Sequence, residues 1–155
     1  EDIEKIMSPE TRVLGPADVC AAHAAQAREV RPGETIQIKE YTVDVVAAYN
    51  VDKSFHPKKN NWVGYNIHLK NGKRVYHTGD TDFIPEMAGV ETDVMLVPIG
   101  GTYTMDAAQA AEAAAEIDPA IVIPMHWGDI VGSGDDVDAF RKLVHTQVVV
   151  KEVEK

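Results

Sequence analysis

Two short stretches hold the side chains with the most chemistry to offer. Tyr76-His77-Thr78-Gly79-Asp80-Thr81 ends an apolar run in a carboxylate beside glycine, and Pro124-Met125-His126-Trp127-Gly128 ends another in an imidazole close to glycine. A strand that stops abruptly at such a residue presents it at a sheet rim, where binding and catalytic groups collect. Carboxylate oxygen and imidazole nitrogen together suit a divalent metal such as Zn²⁺ or Mn²⁺. Alone, Gly-Asp-Thr equally fits an Asx turn and a strand-end histidine is often just hydrogen-bonded in place, so the elements around them must decide.

The chain opens with helical character at Glu1–Ile6, then a brief strand at Thr11–Leu14, and Gly15-Pro16-Ala17-Asp18 leads into a helix predicted to run to about Arg28. After a turn at Arg31–Glu34, Thr35–Lys39 and Thr42–Tyr49 read as adjacent antiparallel strands. Asn50–Asn61 is a loop, lysine-rich and long enough to suggest a site. Trp62–Leu69 and Arg74–His77 flank Asn71-Gly72, which predicts a hairpin with a type I′ turn. Asp93–Pro98 and Ala120–Pro124 are continuous apolar runs separated by an alanine-rich helix at Asp106–Ile117, the pattern of a parallel crossover. A helix at Asp135–Val144 and a strand at Gln147–Val153 complete the chain. This is a mixed α/β chain, one domain over residues 1–155, with helices on one sheet face and a need for a second sheet on the other.

In that order, the hairpin, His-Thr-Gly-Asp-Thr-Asp, the Val-Met-Leu-Val-Pro strand, the helix and Val-Ile-Pro-Met-His-Trp-Gly resemble the second half of the metallo-β-lactamase fold, along nearly the whole chain. The likeness is nearest to the branch with ascorbate-phosphate lactonase-like and phospholipase D-like members. It implies the C-terminal part of an αββα sandwich (α+β). It also implies a binuclear metal-dependent hydrolase of an ester, lactone or phosphodiester, with two divalent ions, Zn or Mn. Asp80 would be the carboxylate bridging the ions, and His126 the last histidine ligand. The family also places a ligand after the strand that ends near Tyr49. Here Asn50 occupies that place and His56 follows in the same loop, so both are carried, with His56 preferred. The family's first motif, His-x-His-x-Asp-His, does not occur in the 155 residues. The expectation is therefore an N-terminally incomplete copy, inactive alone, whose activity depends on that segment. The contrasting expectation is a metal-free binding or scaffold protein of the same fold.

Other features narrow the field. Gly100-Gly101-Thr102-Tyr103-Thr104 lies between a strand and a helix like a phosphate-cradling turn but lacks the Lys-Ser/Thr of a nucleotide loop, so Thr102 and Tyr103 are assigned to the lining of a substrate pocket. His77 is expected to buttress the site, with His23, His68 and His145 outside it. Twenty-five acids against 15 bases leave a net charge of −10, which excludes nucleic acid as a partner and leaves a small-molecule substrate. A single cysteine, Cys20, no signal peptide and no apolar run of membrane-spanning length predict a cytoplasmic chain without a membrane span. A sheet face lacking its cover predicts self-association.

Overall fold

The computed structural model describes residues 2–128 and 130–151. Glu1 of the expected first helix and the last residues of the expected final strand, 152–153, lie outside the described residues. The chain begins with α1 (Asp2–Ile6), β1 (Val13–Gly15), α2 (Ala17–Ala22) and β2 (Ala27–Glu29), and β1 and β2 pair in parallel as a small separate sheet. Seven strands then form the main sheet in chain order: β3 (Thr35–Ile38), β4 (Tyr41–Ala47), β5 (Val63–His68), β6 (Arg74–His77), β7 (Val94–Pro98), β8 (Ile121–Met125) and β9 (Gln147–Val148).

Pairing is antiparallel from β3 to β6 and parallel from β6 to β9. It follows that β4, β6, β7 and β8 all point the same way, so the loops leaving their carboxyl ends open at a single rim. The parallel part is built by α3 (Ala107–Ile117) and α4 (Gly134–Leu143). Each helix starts with a capping box, Asp106 with Gln109 and Ser133 with Asp136, which satisfies amides that the first turn leaves without partners. Alanines 107, 110, 111, 113 and 114 are buried on α3, and their small side chains let it lie close to the sheet. Tyr76, Met95, Val97 and Val122 meet these alanines with Val137 and Phe140 of α4 in the main core.

Strand alternation sends the intervening residues to the opposite face. There Val30, Ile36 and Val45 form a smaller core, joined by Leu14, Ile38, Val63 and Tyr65. Farther along that face, register aligns two cross-strand rows, Ile67–Val75–Val94–Ile121 and Tyr65–His77–Leu96–Ile123. Their apolar members are only partly covered.

Several local expectations change. The helix expected to reach Arg28 stops at Ala22, because residues 27–29 pair with β1 and Gln26 donates its side-chain amide to the carbonyls of Ser8 and Thr11. Alanine propensity is a weak preference that tertiary pairing overrides. The hairpin is present, but of its two turn residues only Gly72 has positive φ. With Gly72 N–H bonded to the Leu69 carbonyl and Leu69 N–H to that of Lys73, the connection is a three-residue loop closed by a left-handed glycine, not a type I′ turn. The last strand is described over Gln147–Val148 alone, extended by a bond from Val149 N–H to the Val122 carbonyl.

Candidate metal centre

Asp80 follows the end of β6 by three residues, after Gly79, whose φ of +72° and close approach to the Val63 carbonyl, 2.9 Å from an added Cβ, leave room only for glycine. The two residues after Asp80 bind the rim loops together. Thr81 accepts the Tyr49 N–H at 3.1 Å on its hydroxyl and the Met105 N–H at 3.1 Å on its carbonyl. Asp82, 2% exposed, accepts the Val51 N–H at 2.9 Å and the Lys53 ammonium at 2.5 Å, and that ammonium also reaches the Thr104 carbonyl at 3.1 Å. The loops after β4 and β7 are thus moored to the segment that carries Asp80.

His56 and His126 converge on Asp80 from opposite sides. His56 Nε2 lies 3.4 Å from Asp80 Oδ2 and His126 Nε2 lies 3.1 Å from Oδ1. Asn50 stands behind His56. Its amide nitrogen donates to the Tyr103 carbonyl at 2.9 Å, and its oxygen accepts the His56 N–H at 2.9 Å. His56 Nδ1 sits 3.1 Å from both that oxygen and the Tyr103 carbonyl. Both neighbours are acceptors, so neutral His56 carries its proton on Nδ1 and turns the lone pair of Nε2 toward Asp80. A lone pair facing a carboxylate is a pairing that a cation between them would relieve.

The distances fit such a cation. Two bonds of about 2.0–2.1 Å meeting near the tetrahedral angle put donor atoms roughly 3.3 Å apart. Among the described residues, however, no group of three or more His, Cys, Asp or Glu side chains is arranged to hold a metal ion. What is present is one carboxylate with an imidazole at each oxygen. The hydrogen bond to His126 holds the Asp80 carboxyl below its usual range, and the same bond raises the His126 pKa.

His126 itself has φ +56°, an unusual left-handed conformation. Its carbonyl passes so close to Gly100 that a Cβ there would lie 2.4 Å away, which explains the glycine. The 100–104 segment is not a phosphate cradle: the N–H of Gly101 bonds to the Met105 carbonyl and that of Thr102 to the Gly100 carbonyl. Thr102 and Tyr103 are exposed beside the centre, and the Tyr103 carbonyl is the acceptor that orients His56. His77 supports Asp80 locally, its Nδ1 accepting the Gly79 N–H at 3.1 Å, and burial and nearby His126 lower its pKa. Of the remaining histidines, His68 pairs with Asp44 at 2.6 Å and His23 caps α2. Sequence reasoning missed Lys53 and Asp82. The one signal was the second aspartate of Gly-Asp-Thr-Asp.

A sequence profile described as the beta-lactamase superfamily domain matches residues 6–127. The chain belongs to the β-lactamase superfamily. A UPF0173 metal-dependent hydrolase of Thermoplasma acidophilum is 31% identical to it over all of this chain and 73% of that protein. Further relatives of the same name are matched over less than half their length. A protein from Parabacteroides distasonis described as a metal-dependent hydrolase superposes with a TM-score of 0.82 at 29% identity, over 98% of this chain and 69% of its own. One from Thermotoga maritima, described as a zinc-dependent hydrolase of the metallo-β-lactamase superfamily, gives 0.65 at 25% identity, over 83% and 73%. The fold is therefore that of the metallo-β-lactamase family, whose members named here are metal-dependent hydrolases.

Proposed function

We propose that the protein acts as a binuclear metal-dependent hydrolase in which Asp80 would be the shared carboxylate of two Zn²⁺ ions, with His56 to hold one and His126 the other. The observation that carries this reading is the Asp80 carboxylate with one Nε2 at each oxygen, 3.4 and 3.1 Å away. Bound there, two such ions supply an activated water with a pKa near ~7 and polarise a carbonyl or phosphoryl oxygen. Zinc suits mixed nitrogen and oxygen donors and is supported by the description of the Thermotoga neighbour, with Mn²⁺ as the other candidate.

The chain's own contribution is orientation. Asn50 and the Tyr103 carbonyl fix the tautomer of His56, the kind of outer support on which metal affinity depends. Thr102 and Tyr103 border the substrate, an ester, lactone or phosphodiester. One imidazole and half a carboxylate per ion fall short of the three protein ligands of a catalytic site. The remaining ligands would come from a His-x-His-x-Asp-His segment, and activity depends on it. Cytoplasmic residence belongs to the same reading, supported by the free Cys20.

The lack of a three-ligand group among the described residues favours a second reading, a metal-free binding protein. Zinc titration of the chain, alone and joined to a His-x-His-x-Asp-His segment, with a panel of chromogenic esters and phosphodiesters, separates the two. About two ions and turnover in the joined protein support the hydrolase. No zinc in either form, or in His56→Ala and wild type alike, would overturn it.

A further inference from the structure

Among the described residues, seven large apolar side chains are exposed, and four of them, Val51, Phe55, Tyr103 and Ile130, lie on the loops that carry or contact the centre. Exposed apolar side chains scattered singly are ordinary, whereas a concentration at one place marks a binding surface. Phe55, 50% exposed, directly precedes His56, and Tyr103, 38% exposed, supplies the carbonyl that orients the same histidine. Their rings meet edge to face, 4.7 Å between centroids at 90°. That geometry is favourable in itself and fixes both rings at low entropic cost. The backbones behind them are tied through Asn50 and through the Lys53 contact with the Thr104 carbonyl, so the pair cannot collapse into the core.

We propose that Phe55 and Tyr103 form the specificity-determining wall of the substrate site, and that they select substrates carrying a flat apolar group, an aryl ring or its equivalent, next to the bond that is hydrolysed. This rests on the hydrolase reading of the centre.

Two phosphonates of like charge test it, benzylphosphonate and methylphosphonate, titrated against the zinc-loaded protein joined to a His-x-His-x-Asp-His segment and followed by NMR. The expected result is benzylphosphonate binding at least about tenfold tighter, with the difference abolished in Phe55→Ala/Tyr103→Ala. Equal affinity for both probes in the wild type, or discrimination that survives in the double variant, would overturn the aromatic wall and leave the metal reading standing. If neither phosphonate binds, both readings are overturned.

Discussion

Lys53→Met removes an ammonium from a carboxylate that has almost no water to replace it. The Asp82 side chain is 3% exposed and that of Lys53 is 24% exposed. Asp82 would keep the Val51 N–H as a donor and lose its only charged partner among the contacts described. Breaking a buried pair by removing one member costs about 3–5 kcal/mol, against ~0–1 kcal/mol for an exposed pair. Because Lys53 reaches solvent on one side, the lower end applies, about 3 kcal/mol. For a chain of this size that corresponds to a fall in Tm of roughly 6–12 °C. The loss should be local in origin, since Lys53 also holds the Thr104 carbonyl and thereby the Tyr103 carbonyl that orients His56. Urea melts of wild type, Lys53→Met, Asp82→Asn and the double variant give the coupling energy directly. The double variant should recover much of the loss, because a neutral amide at 82 no longer requires a cation. A loss under about 1 kcal/mol in Lys53→Met, or simple additivity across the cycle, would refute the claim that this pair anchors the rim.

Three further outcomes follow from the same geometry. His56→Ala should abolish zinc binding at the Oδ2 side of Asp80, whereas Asn50→Ala should weaken it about 10–100-fold by freeing the imidazole tautomer, both read by competitive zinc titration. In the metal-free chain the depressed Asp80 pKa adds stability above about pH 4 that is lost as pH falls through its folded value. The raised His126 pKa adds stability below about pH 6.5 that is lost as pH rises through its folded value. The Tm difference between wild type and Asp80→Asn should therefore peak between those limits and shrink on either side; taking the difference cancels the part of the His77 effect due to burial, which lowers its pKa and costs stability in acid. Finally, the partly covered rows through Leu96 and Ile123 should drive self-association, so that Leu96→Lys shifts the chain toward monomer in sedimentation velocity, and an unchanged distribution would show that this face is not the contact.

Much of the rim was legible because its signals are local. Apolar runs of strand length ending at Asp80 and near His126, with glycines where the backbone must turn, placed both residues at one edge before any contact was known. The crossover through α3 was equally plain, since two continuous apolar runs around an alanine-rich helix have few other arrangements. The failures have one physical cause. β2 exists only because β1 lies beside it, and nothing in Ala24-Ala25-Gln26-Ala27 announces that partner. The choice between Asn50 and His56 depended on which group a turn of the loop would bring to Asp80. The structure places His56 there, with Asn50 behind it. Lys53 looked like any lysine of a solvated loop until Asp82 was found beneath it.

The left-handed backbone at His126 limits how this centre could have changed during evolution. Glycine, asparagine, aspartate and histidine adopt that conformation most readily, and β-branched residues are strongly disfavoured there. Substitution at this position is therefore channelled: a lineage can exchange imidazole for carboxylate or amide without rebuilding the turn, but not for threonine or valine. Three of the four tolerated residues can still donate to a metal, and one of them, aspartate, would bring a harder oxygen ligand. If His126 holds a metal as proposed, the turn is a filter on heredity, biasing drift at residue 126 toward a change of metal preference before outright loss of the ligand.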